Sequence, residues 1–120
     1  MADRMLMISW GTPVRGREER GLEVFNEAMG LYGRMQQEGR IESFDVCLCS
    51  PNARLNGYIE LFGTADQLNA VKESDDYERT LANAVLVVDD VCVCDCVVIE
   101  GIAEQMAIYQ EAISKVPQAV

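Results

Sequence analysis

The stretch of residues 84–99, AVLVVDDVCVCDCVVI, is the feature that most constrains how this chain can fold. Its many β-branched residues favour one long strand, and the stretch is apolar on both of its alternating faces. A strand of that kind needs cover on each side. A chain of 120 residues can cover one face with its own helices, so we expect a second copy of the chain to cover the other.

Composition indicates one folded domain over residues 1–120, because 49% of the residues are apolar and only three are proline. The formal charge is −10, from 20 acidic and 10 basic residues. An acidic chain lacks the clustered Lys and Arg that bind phosphate backbones and anionic lipids. We therefore expect neither nucleic acid nor a membrane surface as a partner.

The N-terminal residues 1–10 contain only a short apolar run without a signal-peptide cleavage pattern, and no segment has the roughly 20 apolar residues needed to span a bilayer. The five cysteines are an odd number, which fits a reducing compartment better than a disulfide scaffold. These features predict a cytoplasmic location.

The absence of histidine excludes several kinds of chemistry. Imidazole bases, Ser-His-Asp and Cys-His pairs, haem ligation by histidine and mixed Cys/His metal sites all need that residue. Any catalysis must rely on carboxylates, Tyr, Lys, Cys or a bound cofactor.

The apolar periodicity predicts seven elements. Residues 5–10 are a strand, and a helix follows from Arg17 to a closing glycine at Gly39. Strands at 41–49 and 58–62 form a long-looped hairpin. The later elements are a helix capped by Thr64 and Gln67 and broken near Glu73, the valine-rich strand, and a last helix from Gly101 to Pro117 that places Ile102, Met106, Tyr109 and Ile113 on one stripe.

This order predicts an α+β fold, a ferredoxin-like βαββαβ antiparallel sheet with helices on one face plus a C-terminal helix. The chain resembles the dimeric α/β barrel superfamily, in which ferredoxin-like protomers pack their bare sheet faces together, and a small bacterial subgroup within it. The residues that carry the resemblance are Trp10-Gly11-Thr12-Pro13, Gly16-Arg17-Glu18, Gly39-Arg40-Ile41-Glu42-Ser43 and Leu55-Asn56-Gly57-Tyr58.

The resemblance implies a homodimer with a cavity between two sheets, and leaves the reaction open. The superfamily contains cofactor-free monooxygenases, lactone isomerases, haem enzymes and amino-acid-sensing regulators. Its haem and His-Asp branches need a histidine that this chain lacks. We expect no cofactor.

The cysteines alternate along two strands, Cys47 and Cys49 on one and Cys92, Cys94 and Cys96 on the other. Same-face side chains on a strand are about 7 Å apart by the strand rise, which is far for thiols that share one metal ion. We interpret the cysteines as small buried apolar residues and expect no metal.

Several carboxylates are candidates for a functional role. On a regular strand Asp95 shares a face with Val91 and Val93, and an aspartate facing the cavity is a candidate base. Asp89 and Asp90 indicate a bulge or bend that carries both acids to solvent.

The third strand offers the other site candidates. Ile59 and Leu61 form its helix-packed face, which leaves Tyr58, Glu60 and Phe62 on the other side. There Glu60 is either an anchor for a polar group of a ligand, an ion-pair partner of a residue such as Arg4 or Arg54, or a residue that reaches solvent at the edge of the barrel. The candidate catalytic residues are Glu60, Tyr58 and Asp95, and the candidate ligand-binding residues are Tyr58, Glu60, Phe62, Asp45 and Trp10. For the first strand the sequence leaves open whether Met5, Met7 and Ser9 or Leu6, Ile8 and Trp10 face the cavity.

Three functions remain: a module binding a small, largely apolar molecule between the sheets, a cofactor-free monooxygenase or isomerase using carboxylate and tyrosine chemistry, and a structural or interaction protein with a closed cavity. Each assumes a homodimer burying roughly 2,000 Å² or more. A charge at Val91 or Val93 is expected to break this dimer.

Overall fold

The computed structural model describes residues 2–117 and residue 119. Eight elements follow one another along the chain: β1 (Arg4–Trp10), α1 (Glu18–Gln37), β2 (Ser43–Leu48), β3 (Gly57–Gly63), α2 (Ala65–Glu73), α3 (Asp75–Val85), β4 (Cys92–Val97) and α4 (Ile99–Ser114).

The four strands form one antiparallel sheet in the order β2-β3-β1-β4. This is the α+β ferredoxin-like arrangement that the element order predicts, with α1 and α2 packed on one face of the sheet and α3 packed against these two helices. We call that face the helix side and the opposite one the bare face. The helix predicted to break near Glu73 is indeed two helices, separated at Ser74.

The core lies between the two central strands and the helices. Leu6 on β1 and Leu61 on β3 are register partners and are fully buried. Met35 on α1 and Val71 on α2 cover them, each at most 1% exposed. Burial of this apolar surface is the main favourable contribution to the free energy of folding.

Local signals fix the helix ends. Gly39 has φ of +76°, a left-handed conformation that glycine adopts without strain after the last turn of α1. At the start of α2, the Thr64 hydroxyl accepts from the Gln67 amide at 3.1 Å, and the Gln67 side chain accepts from the Thr64 amide at 2.8 Å. This is the capping box predicted from the sequence.

The valine-rich stretch is not one strand. Ala84 and Val85 end α3, and only Cys92–Val97 belongs to the sheet. Between them, Val88 forms an isolated antiparallel bridge with Pro13. Asp89 and Asp90 lie exposed in a bend where Asp90 has φ of +55°, so the expectation that both acids reach solvent is correct.

The C-terminal helix α4 starts two residues before Gly101 and packs on β4, with Gly101 in its first turn close to Val97. Its predicted apolar stripe is exposed: Ile102, Met106 and Tyr109 are each about half exposed or more. None of the helices in residues 2–117 is both long and apolar enough to cross a bilayer.

Candidate functional site

An apolar pocket of about 350 Å³ opens on the helix side, at the end of the sheet where β1 stops. Its floor is the sheet, through Ile8, Trp10 and Ile59, and its walls are α1 and α3. The bend after α3 closes one end with side chains of Val87, Val88 and Val91. A concave, mostly apolar site of this volume is typical of small-molecule binding.

Two aromatic rings form the part of the wall nearest the end of β1. Trp10 packs against Phe25 of α1, with ring centroids 6.1 Å apart and planes at 63°. Gly57, the register partner of Trp10, gives the indole its room, because a Cβ there would lie 2.7 Å from the Trp10 ring and from the Cys47 carbonyl oxygen. The glycine that begins β3 therefore positions the tryptophan.

Few polar groups reach the pocket. Tyr32 of α1 is one of the lining residues, and burial, with smaller contributions from Tyr77 and Asp76, raises the pKa of its hydroxyl well above the usual value. A tyrosine hydroxyl is protonated at neutral pH even at its usual pKa and can donate a hydrogen bond. Glu18, an acidic residue of the lining, accepts a hydrogen bond from the Gly16 amide at 2.8 Å.

Four of the five predicted ligand-binding residues share the bare face. Met7, Glu60 and Asp45 are aligned across β1, β3 and β2, and Tyr58 and Phe62 flank Glu60 on β3. The bare face thus carries Met5, Met7 and Ser9, which answers the question left open for the first strand. Within residues 2–117, the structure gives Glu60 no ion pair, neither with Arg4, which pairs with Asp3, nor with Arg54.

Trp10 and Asp95 lie on the helix side, apart from the other candidates. Trp10 lines the pocket, whereas Asp95 is 70% exposed and pairs with Lys72 of α2 at 2.8 Å. Val93 also faces the helix side, opposite Ile8, and Val91 lines the pocket. The expectation that charges at Val91 and Val93 would disrupt a bare-face interface is therefore wrong, because neither side chain lies there.

Phe25, Tyr32 and Leu81 line the pocket and were not predicted as site residues from the sequence. Phe25 and Tyr32 belong to the apolar stripe of α1, and such a stripe indicates packing against the sheet. Whether a residue of this stripe lines a pocket or packs in the core depends on the distance between α1 and α3. That distance is a property of the tertiary structure, which the sequence pattern does not determine.

The thiols of the bare face are closer together than the strand rise indicates. The Cys94 and Cys96 sulfur atoms are 3.8 Å apart, because the side chains lean toward each other along β4. The estimate of about 7 Å between neighbouring thiols is wrong for the sulfur atoms.

Burial and the contact with Cys94 raise the pKa of the Cys96 thiol. The expectation that the cysteines are buried is wrong for the protomer: Cys92 and Cys94 are exposed, and the other three are only partly buried.

Cys47 lies at the other edge of the bare face, opposite Tyr58. A hydrogen bond between these two side chains is the main cause that raises the pKa of the Tyr58 hydroxyl, and burial is the main cause that raises the pKa of the Cys49 thiol. Among the described residues, no three Cys, Asp or Glu side chains converge closely enough to hold a metal ion by themselves.

Neither a protein-family model nor a curated protein matches the chain. Several solved structures, in contrast, are similar to it in fold. A dimeric ferredoxin-like protein of unknown function from Jannaschia superposes with a TM-score of 0.62 at 15% identity, over 79% of this chain and 99% of that one. A dimeric protein with a ferredoxin-like fold from Bacteroides fragilis gives 0.60 at 13% identity, over 80% and 97%.

A mutant of SnoaB, a cofactor-independent oxygenase from Streptomyces nogalater, is similar to the chain with a TM-score of 0.62 at 9% identity, over 81% of this chain and 94% of that one. At these identities the similarity establishes the fold alone. The predicted resemblance to dimeric ferredoxin-like proteins is confirmed at that level.

Proposed function

We propose that the protein binds a small, largely apolar molecule in the helix-side pocket, between α1, α3 and the sheet. The observation that carries the proposal is the pocket of about 350 Å³ with an almost wholly apolar lining. The sequence predicts a binding cavity between two sheets, whereas this pocket lies on the other side of the sheet, within one protomer.

The size and chemistry of the pocket restrict its occupant. Ligand pockets span roughly 300–1,000 Å³, so this one suits a molecule of one or two rings. Trp10 and Phe25 present aromatic surface for stacking or edge contacts. The protonated Tyr32 hydroxyl favours a ligand that carries a hydrogen-bond acceptor, and Glu18 near the opening disfavours an anion. A neutral bicyclic phenol or quinone fits these constraints.

Calorimetric titration with 1-naphthol tests the proposal. Ala84 of α3 lines the pocket, whereas Ala82 on the same helix is exposed. Ala84→Phe fills the pocket and is expected to weaken binding at least about tenfold, while Ala82→Phe adds the same ring outside and leaves the affinity unchanged. Binding should also show a negative heat-capacity change. Absence of binding to the unsubstituted protein, or equal loss in both variants, would contradict the proposal.

We also propose that the protein is a homodimer joined through its bare face. Met5, Met7, Tyr58 and Phe62 lie on that face half-buried, and in the part of the chain that the structure describes no helix packs over them. The apolar residues of α4 add exposed surface beyond the edge strand β4. Monomers seldom expose contiguous apolar patches larger than a few hundred Å², and the similar structures from Jannaschia and Bacteroides fragilis are described as dimeric.

A cofactor-free monooxygenase or isomerase reaction is the second candidate function, favoured by the structural similarity to SnoaB. Of the predicted catalytic residues, Glu60 and Tyr58 lie on the bare face, so their use requires a cavity completed by the partner copy. Asp95 is held by Lys72 on the other side. Removal of a general acid or base lowers turnover typically 10²–10⁴-fold, so Glu60→Gln and Tyr58→Phe with unchanged turnover would exclude these residues.

A further inference from the structure

The bare face carries a sulfur-rich patch on the edge strand and its neighbour. Cys94 and Cys96 lie on one side of β4 with their sulfur atoms 3.8 Å apart. Their register partners on β1 are Met7 and Met5. Directly opposed residues of an antiparallel pair point to the same face with Cβ atoms about 4.5–5.5 Å apart, so the thioethers are within reach of the thiol pair.

The spacing of the two thiols matches that of two ligands on one metal ion. With metal–sulfur distances of about 2.3 Å and tetrahedral or trigonal angles, two bound sulfur atoms lie about 3.8–4.0 Å apart. A disulfide between the same residues fits less well, because it requires the sulfur atoms to approach to about 2.05 Å across residues whose Cα atoms are separated by two strand rises, about 6.7 Å.

The donor set selects the kind of ion. The chain has no histidine, and Asp95 between the two cysteines points to the opposite face, where it pairs with Lys72. The next carboxylate on the bare face, Glu60, is one strand further, beyond Met7. Two thiols flanked by thioethers are soft ligands, which select monovalent copper, zinc or iron–sulfur clusters over hard cations such as Mg²⁺ or Ca²⁺. The thioethers favour monovalent copper among these, because zinc sites use Cys, His and carboxylate ligands.

We propose that Cys94 and Cys96 bind one monovalent copper ion as thiolates, with a thioether of Met5 or Met7 as the additional ligand. All four residues belong to one protomer, and the site lies on the opposite side of the sheet from the helix-side pocket. The proposal therefore does not depend on the apolar ligand and needs no residue of a partner copy, although the site lies on the face through which we propose that the homodimer forms. It replaces the expectation, based on strand rise, that the cysteines hold no metal.

The test is anaerobic titration of the reduced full-length protein with Cu(I) in competition with the colorimetric chelator bicinchoninate. The unsubstituted protein is expected to withhold one Cu(I) per protomer from the chelator. Cys96→Ser, which removes one of two thiolates, should lower the affinity at least about 100-fold, more than loss of an outer-shell partner usually does. The Met5→Leu/Met7→Leu double variant should lower it about tenfold or more.

Cys47→Ser/Cys49→Ser is the matched control, because that thiol pair lies on the same face but opposes Tyr58 rather than methionine. It should retain the full affinity. X-ray absorption at the copper edge should show sulfur neighbours only. Equal affinity of the unsubstituted protein and Cys96→Ser, or an equal loss in the Cys47/Cys49 variant, would overturn the proposal. Unchanged affinity in the folded methionine variant would overturn the thioether ligand.

Discussion

Arg40 and Asp76 form a two-pronged ion pair that joins the loop after α1 to the first turn of α3. The Arg40 guanidinium donates to the two carboxylate oxygens of Asp76 at 2.7 and 3.0 Å. These hydrogen bonds hold the pKa of the Asp76 carboxyl well below its usual range. The side chains are 33% and 42% exposed, so solvent screening limits the contribution of the pair to about 1 kcal/mol.

Asp76→Asn should therefore lower the free energy of unfolding by about 1 kcal/mol at pH 7. Because the folded-state pKa is depressed, this contribution is fully present above the unfolded pKa of about 3.9 and is lost as the pH falls toward the folded value. The difference between variant and parent should shrink below about pH 4. Urea unfolding at several pH values measures it; a pH-independent difference would contradict the assignment.

Leu61 is the central residue of the core, at 0% exposure on the central strand β3. Leu61→Ala removes buried methyl groups and leaves a cavity, with an expected loss of about 2–5 kcal/mol in the free energy of unfolding. Leu22, 63% exposed on α1, is the control, and Leu22→Ala should change stability by no more than about 0.5 kcal/mol. Similar losses in the two variants would show that the core lies elsewhere.

At the scale of elements, the start of α2 depends on the capping box of Thr64 and Gln67. Thr64→Ala removes the hydroxyl that accepts from the Gln67 amide and is expected to cost about 1 kcal/mol. Thr64→Ser keeps the acceptor and should retain most of the stability. Thermal unfolding of the three proteins measures the difference, and a serine variant as unstable as the alanine variant would exclude the hydrogen bond as the cause.

The sequence predicted the elements wherever a local signal and the tertiary packing agree. Gly39, the Thr64 capping box and the alternation along β3 are of this kind. The residues before Asp89 carry two conflicting signals: the helical spacing of Tyr77, Leu81 and Ala84 runs into a β-branched stretch. The structure ends α3 at Val85 and pairs Val88 with Pro13, a tertiary contact that strand propensity does not contain.

The candidate site was predictable only in part. Alternation along β3 correctly separated Tyr58, Glu60 and Phe62 from the helix-packed residues. The helix-side pocket results from the separation of α1 and α3, and the thiol contact of Cys94 and Cys96 results from their rotamers. The periodicity of the sequence shows on which face of an element a residue lies, but it does not determine either of these two distances.

At the scale of the whole molecule, the proposed homodimer depends on the bare face. Met7→Glu places a third acid in the row that already contains Glu60 and Asp45, so like-charge repulsion and desolvation should convert the dimer to a monomer. Val85→Glu, at an exposed apolar position at the end of α3, should leave the dimer intact. Light scattering at micromolar concentration measures both masses; a dimeric Met7→Glu protein would place the interface elsewhere.

The proposed apolar ligand site lies on the helix side of each protomer. A crystal structure with 4-bromo-1-naphthol tests it most directly, because the anomalous signal of bromine locates the ligand without reference to any binding model. We predict the bromine between α1 and α3, beside Trp10 and Phe25. Bromine on the bare face, next to Tyr58 and Glu60, would contradict the claim.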